Sequence, residues 1–181
     1  MKVIGIDAST SATGLVILED GVLIHHEAIL FKGCNTFWEK CDVVDNRLKE
    51  LSILHKIDTF FIEEPMKRFA EGFSSAETLS ILQRFNGITS YVVREHFNVD
   101  PTYVNVSSAR KAAGVKVTTK AKAGGRNAKQ QTFDHIMKHD LSHISWPKKQ
   151  RSENIVDWAR DIVDAFVVAK GGMMLNKNLQ K

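Results

Sequence analysis

Two apolar runs that each stop at a carboxylate constrain this chain more than anything else in it. Lys2-Val3-Ile4-Gly5-Ile6 reads as a strand and ends on Asp7; Thr59-Phe60-Phe61-Ile62 reads as another and ends on Glu63. A carboxylate at the end of a buried strand is costly unless it is paired or bound to a metal. Asp7 could instead cap the following turn, although Ser9, Thr10 and Ser11 can do that themselves. Near the C-terminus, Asp157, Asp161 and Asp164 recur at i, i+4 and i+7 on an expected helix. Like charges on one face destabilise an isolated helix, so either the face is solvated or cations meet it. Asp164 lies directly before Ala165-Phe166-Val167-Val168-Ala169, where small Ala165 and Ala169 would let the helix approach a sheet closely. Converging carboxylates make a hard oxygen cage for Mg²⁺ or Mn²⁺, which points to phosphodiester chemistry.

The rest of the chain supplies a frame for these acids. Residues 2–7, 14–18 and 22–30 read as an antiparallel meander, with turns at Ser9-Thr10-Ser11 and Glu19-Asp20-Gly21. Thr36 and Glu39 form a capping-box signature ahead of Phe37, Cys41, Val44, Leu48, Leu51 and Leu54, which recur at helical spacing. After the strand ending at Glu63, a helix is expected over 75–97, a last strand over 102–106 and a small-residue, basic loop over 107–126. Helices are expected over 127–138 and about 153–175. Residues 1–181 thus read as one α/β domain: a mixed five-stranded sheet, three strands antiparallel and then two parallel, flanked by helices. Phe60, Phe61 and Ile62 are all apolar, so alternation does not say whether Glu63 or Glu64 faces a site.

Charge narrows the partner. The formal net charge is +4, but its placement matters more. From Pro101 to Phe133 there is no Asp or Glu, while Arg110, Lys111, Lys116, Lys120, Lys122, Arg126 and Lys129 all fall there. Such a stretch is expected to track phosphates rather than read bases, since its lysines lack aromatic or amide neighbours. A solubilising loop is the alternative. Gly124-Gly125 suggests mobility in the absence of DNA. The two cysteines, Cys34 and Cys41, lack a metal-ligand pattern and read as free thiols. With no signal peptide and no apolar run long enough to span a bilayer, they suggest a reducing, cytoplasmic setting. His135, His139 and His143 are four apart, a spacing that can bind Zn²⁺. No acidic or Cys cluster completes that set, and an exposed helical face is expected. Trp146-Pro147, with Lys148, Lys149 and Arg151, reads as a loop near the nucleic acid or a solvated connector.

Three of these segments carry a resemblance. Ile4-Gly5-Ile6-Asp7-Ala8-Ser9-Thr10-Ser11-Ala12-Thr13-Gly14 resembles the first motif of RuvC-type Holliday-junction resolvases. Phe61-Ile62-Glu63-Glu64 resembles the second, which selects Glu63, and Asp161-Ile162-Val163-Asp164-Ala165 resembles the third. The ordered set spans nearly the whole chain. It implies a ribonuclease H-like fold, a homodimer with the helix over 75–97 as candidate interface, and two divalent metals held by Asp7, Glu63, Asp161 and Asp164. It further implies cleavage of branched DNA, with Lys129 near the scissile phosphate because Lys129-Gln130 resembles a Lys-x-Gln helix start in the family. Arg110, Lys111 and Lys116 fall in the equivalent DNA-facing region. The aromatic wedge expected three positions after the catalytic glutamate is replaced by Met66, with Phe69 and Phe73 beyond it; that departure and the compact chain fit a viral member. The Gly-Ile-Asp-x-Ser-Thr start also resembles actin-like and sugar-kinase ATPases, which would make this a phosphotransferase, although those folds need two domains. A catalytically silent nucleic-acid binder of the same fold is the third reading.

Overall fold

The computed structural model describes residues 1–65, 75–152 and 154–179. Strands β1 (Lys2–Asp7), β2 (Ala12–Glu19) and β3 (Val22–Leu30) form the antiparallel meander. Its second turn is tight because Asp20 and Gly21 both take positive φ, 52° and 87°, which matches the twist of the strands they join. Helix α1 (Phe37–Leu54) starts at the Thr36–Glu39 capping box expected from the sequence. Strand β4 (Thr59–Glu63) then pairs in parallel with β1, helix α2 (Ala76–Phe97) crosses over, and β5 (Pro101–Val104) pairs in parallel with β4. The sheet order is β3-β2-β1-β4-β5, as the expected mixed sheet requires. Helices α3 (Val106–Ala112), α4 (Ala128–His139) and α5 (Ala159–Leu179) complete the chain.

Side-chain alternation divides the sheet into two packed faces. Ile4, Ile6, Leu15, Ile17, Phe60 and Ile62 pack with Val44 and Leu48 of α1 and Phe85 and Val93 of α2. Val3, Val16, Leu18 and Phe61 pack with Val163, Phe166 and Val167 of α5, Ala109 of α3 and Ile136 of α4. Asp7 shares the parity of Val3, and Glu63 that of Phe61. Both carboxylates therefore belong to the α5 face, which answers the question that the run Phe60-Phe61-Ile62 leaves open.

α5 lies directly on the backbone of the sheet. A β carbon on Gly5 would sit 2.6 Å from the Ala165 carbonyl oxygen, and one on Gly14 only 1.9 Å from the carbonyl oxygen of Asp161. The small-residue reading of Ala165 and Ala169 holds, with glycine on the facing strands as its other half.

Three expectations need correction. β5 stops at Val104 rather than 106, because Asn105 accepts from the Ser107 and Ser108 amides at 3.0 and 3.2 Å and caps α3, a helix where a loop is expected. α5 begins at Ala159, not near 153; Glu153, the expected first residue, lies outside the described residues. Asp157 therefore precedes the helix, exposed and bound by Lys149 at 2.7 Å, and only Asp161 and Asp164 share the helical face. The basic stretch also carries hydrogen bonds of its own. The Gln131 amide accepts from the Thr118 N–H and donates to the Thr118 and Arg126 carbonyls, while the Gly125 N–H donates to the Lys120 carbonyl at 2.8 Å. Met66, Phe69 and Phe73 lie outside the described residues. Among the described residues no helix is long and apolar enough to cross a membrane, and Cys34 and Cys41 are free thiols.

A methyl group at Gly14 would push on backbone and not on a side chain that can swing aside. Gly14→Ala should cost about 1–3 kcal/mol in urea unfolding. Gly87→Ala, on α2 with nothing within 4 Å of the added carbon, should be neutral or stabilise by up to about 1 kcal/mol.

Candidate active site

The site is built where the two central strands end. Ile6 is paired in register with Ile62, so Asp7 and Glu63 emerge side by side at the carboxyl ends of parallel neighbours. Ends of this kind are where functional groups collect in such sheets. The turn after Asp7 is fixed by the buried Thr13 hydroxyl, which donates to the Ser9 carbonyl at 3.1 Å, and by the Lys40 ammonium, which donates to the Thr10 carbonyl at 2.8 Å. The contact at Gly14 seats the first turn of α5, and with it Asp161 and Asp164, over the same strand ends.

Two cations answer the acids. α4 starts at an Asn127–Gln130 capping box that sets Lys129 in its first turn, and the Lys129 ammonium lies 3.0 Å from Asp164 Oδ2. Arg110, on α3, approaches the other oxygen of Asp164 at 3.9 Å with only 12% of its side chain exposed, and its Nε is buried without a hydrogen-bond partner. Asp164 is itself 6% exposed.

The remaining charge is not balanced. Burial pushes the Asp7 carboxyl well above the usual range, and the charges of Asp164, Glu63 and Asp161 add to the effect against the opposing pull of Lys129. Glu63 is raised by burial and by Asp164, with Lys129 and Arg110 opposing. Asp161 is pushed up to about 6, chiefly by burial. Lys129 is affected in the opposite sense: burial disfavours its charge, but Asp164, Asp7 and Glu63 hold it protonated above the ordinary lysine range. Four carboxylates around one ammonium and one guanidinium still call for positive charge.

A cavity of about 340 Å³ opens here, with Asp7, Glu63, Asp161 and Lys129 among its lining. Its wall includes Asn86, a residue not singled out from the sequence. This buried amide on α2 donates to the Glu63 carbonyl at 3.0 Å and so fixes the end of β4. The available signal was a polar residue seven places after Leu79, on the buried stripe of the helix.

The donor set suits a hard divalent cation: oxygens only, on three converging elements, carrying excess negative charge. Yet among the described residues no three His, Cys, Asp or Glu side chains stand together in a way that could hold a metal ion. The acids are spread around the Lys129 ammonium, which serves as their present counter-ion. The His135 and His139 rings on α4 lie 4.7 Å apart, tilted by 46°, and the helix ends before His143.

The basic residues divide. Arg110 is drawn into the site. Lys111 and Lys116 line a trough of about 400 Å³ that reaches Ala128, beside Lys129. Lys120 and Lys122 are exposed on the turn, and Arg126 is exposed and paired with Asp134 at 3.0 Å.

This arrangement of sheet and helices is the ribonuclease H-like fold. Solved structures similar to the chain over nearly its whole length include Holliday-junction resolvases. Over 98% of its length the chain is similar to 96% of Thermus thermophilus RuvC, with a TM-score of 0.68 and 14% identity to the form in complex with Holliday junction substrate. For another T. thermophilus RuvC structure the TM-score is 0.63 at 16% identity, with the same coverage of both chains. The yeast mitochondrial Holliday junction resolvase gives 0.55 at 13% identity, over 98% of this chain and 80% of that one. No protein-family model and no curated protein sequence matches the chain.

Raised carboxylates make a testable mark on stability. Folded Asp161 binds its proton up to about pH 6, whereas an unfolded aspartate releases it near 4, so folding loses stability from this group as pH rises through that window. Without divalent cations, Asp161→Asn should therefore stabilise the protein at pH 7 by on the order of 1 kcal/mol, after allowance for partial exposure, and by nothing at pH 4. Thermal melts in a chelator at the two pH values check this.

Proposed function

We propose that this protein is a metal-dependent, structure-specific endodeoxyribonuclease that resolves Holliday junctions and related branched DNA. The supporting observation is the meeting of Asp7, Glu63, Asp161 and Asp164 around Lys129 at the ends of β1 and β4, in a fold shared along 98% of the chain with junction resolvases. That extent of match favours hydrolysis of DNA over phosphotransfer, which would need a second domain.

Asp7, Glu63, Asp161 and Asp164 would hold two divalent cations, Mg²⁺ or Mn²⁺, whose contribution is Lewis acidity toward the attacking water and the leaving 3′-oxygen. Asp7, which feels the charges of all three other acids, would be the central ligand. Lys129 keeps 66% of its side chain exposed, so its ammonium can turn from Asp164 to a phosphate oxygen and offset the charge that develops there. Arg110 stays beside Asp164 when it does, and so prevents a stranded buried anion. Lys111, Lys116, Lys120, Lys122 and Arg126 track the phosphates of the arms. Met66 and Phe69, outside the described residues, are the candidates for a wedge at the branch point. The active unit is a homodimer formed through the outward face of α2, where Tyr91 is 59% exposed; two sites related by a two-fold axis suit a two-fold junction.

Asp7→Asn should lower cleavage by at least about a hundredfold while junction affinity holds. The assay offers four-way, three-way, flap and linear DNA side by side with Mg²⁺. Undiminished cutting by the variant, or no cutting of any branched form by the native protein, would sink the reading. Replacing Lys120, Lys122 and Arg126 with glutamine should flatten the slope of log affinity against log salt by roughly one for each phosphate no longer neutralised. An unaltered slope would put the DNA-binding surface elsewhere.

A further inference from the structure

A second groove, lined by neither Lys111 nor Lys116, leaves the site. It starts as a crevice of about 150 Å³ lined by Lys129, Asp164, Gln130, Phe133 and Arg160. The last three residues also line a larger hollow of about 470 Å³, so the two form one path outward from the Lys129–Asp164 pair. The outer wall is a short antiparallel pairing, in a segment where the sequence suggests a loop running into a helix at about 153. Lys148 bridges Ile155, the Lys149 N–H donates to the Asn154 carbonyl at 2.7 Å, and the Val156 N–H donates to the Pro147 carbonyl at 3.1 Å.

Charge in this hollow has a definite pattern. Its lining carries Arg126, Lys149 and Arg160 against Asp134 and Asp157. Arg126 holds Asp134 at 3.0 Å and Lys149 holds Asp157 at 2.7 Å, so both acids are already answered. Among the described residues Arg160 forms no salt bridge, and it is exposed. It directly precedes Asp161, in the opening turn of α5. Its charge is felt by Asp157 and Asp161 but is held by neither in a salt bridge. An exposed guanidinium of this kind, beside a partly buried aromatic ring at the mouth of a path from the reacting centre, suits a phosphodiester group.

We propose that Arg160 binds a backbone phosphate of the DNA strand flanking the scissile linkage, and that the groove between α4 and the paired segments 147–149 and 154–156 carries that strand away from the site. This rests on the nuclease reading and adds a second strand path to the one along the 110–129 stretch. Arg160 acts here as a positioning residue, because it touches the substrate away from the reacting bond.

The test is a double-mutant cycle between protein and DNA. Four-way junctions carrying a charge-neutral methylphosphonate at single linkages are titrated against the full-length native protein, Arg160→Gln and Lys49→Gln, in Ca²⁺ or chelator so that binding is read without cleavage. Lys49 lies on α1, against the opposite face of the sheet. Arg160→Gln should lower affinity for the unmodified junction about tenfold. At one or two linkages near the cut, neutralising the phosphate should cost the native protein and Lys49→Gln a similar factor but cost Arg160→Gln nothing further. Losses that simply multiply at every linkage would overturn the assignment, as would unchanged affinity of Arg160→Gln in a correctly folded protein that binds and cuts junctions. Failure of the native protein to bind DNA at all would remove the nuclease reading and the groove together.

Discussion

The contact of α5 with bare backbone on β1 and β2 is the constraint on which the site depends. Gly5 and Gly14 leave no side chain between helix and sheet, so the carbonyls of Ala165 and Asp161 come within a distance that any β carbon would forbid. This close seating brings carboxylates distant in the chain to the same place as Asp7 and Glu63. Most sheet–helix contacts are buffered by side chains that can repack. Here the spacing is set by main chain against main chain, and the positions of Asp161 and Asp164 follow from it.

The acids are held at an energetic disadvantage by that geometry. Burial and mutual repulsion raise Asp7, Glu63 and Asp161, and the two basic groups nearby reach Asp164 more directly than they reach the others. Positive charge from outside the chain would relieve this arrangement, which is what the proposed function asks of a divalent cation. Lys129 and Arg110 divide the task of neutralising Asp164 according to exposure. One can be withdrawn toward an incoming anion; the other is enclosed.

The acids and the frame were legible because they follow from strong local signals. Each strand run ends abruptly at a carboxylate, the Thr36–Glu39 box marks the start of α1, and the mixed order of the sheet follows from the order of the elements. What escaped depends on tertiary packing. Arg110 sits among lysines that are exposed, and nothing in its neighbours says that α3 would carry it beneath α5. Asn105 has the surroundings of a strand residue, with Val104 and Val106 on either side, although its side chain caps a helix instead. Alternation left the face of Glu63 open and only the resemblance selected it; the packing of Phe61 with α5, and of Phe60 and Ile62 with α1 and α2, supplies the physical reason. Asp157 fell on the expected helical face but joins Lys149 in the preceding turn.

Asn86 has a role wider than fixing one strand end. Its amide reaches from a helix on the far side of the sheet to the carbonyl of Glu63, and its main-chain carbonyl takes the Ser90 hydroxyl, which also meets the Tyr103 phenol at 3.2 Å. The glutamate's main chain is thereby moored to an outer layer of the molecule, across the plane that separates the two cores. The end of β4 is thus anchored twice, sideways to β1 and rearward to α2, and the spacing of the two acids inherits the stiffness of both layers.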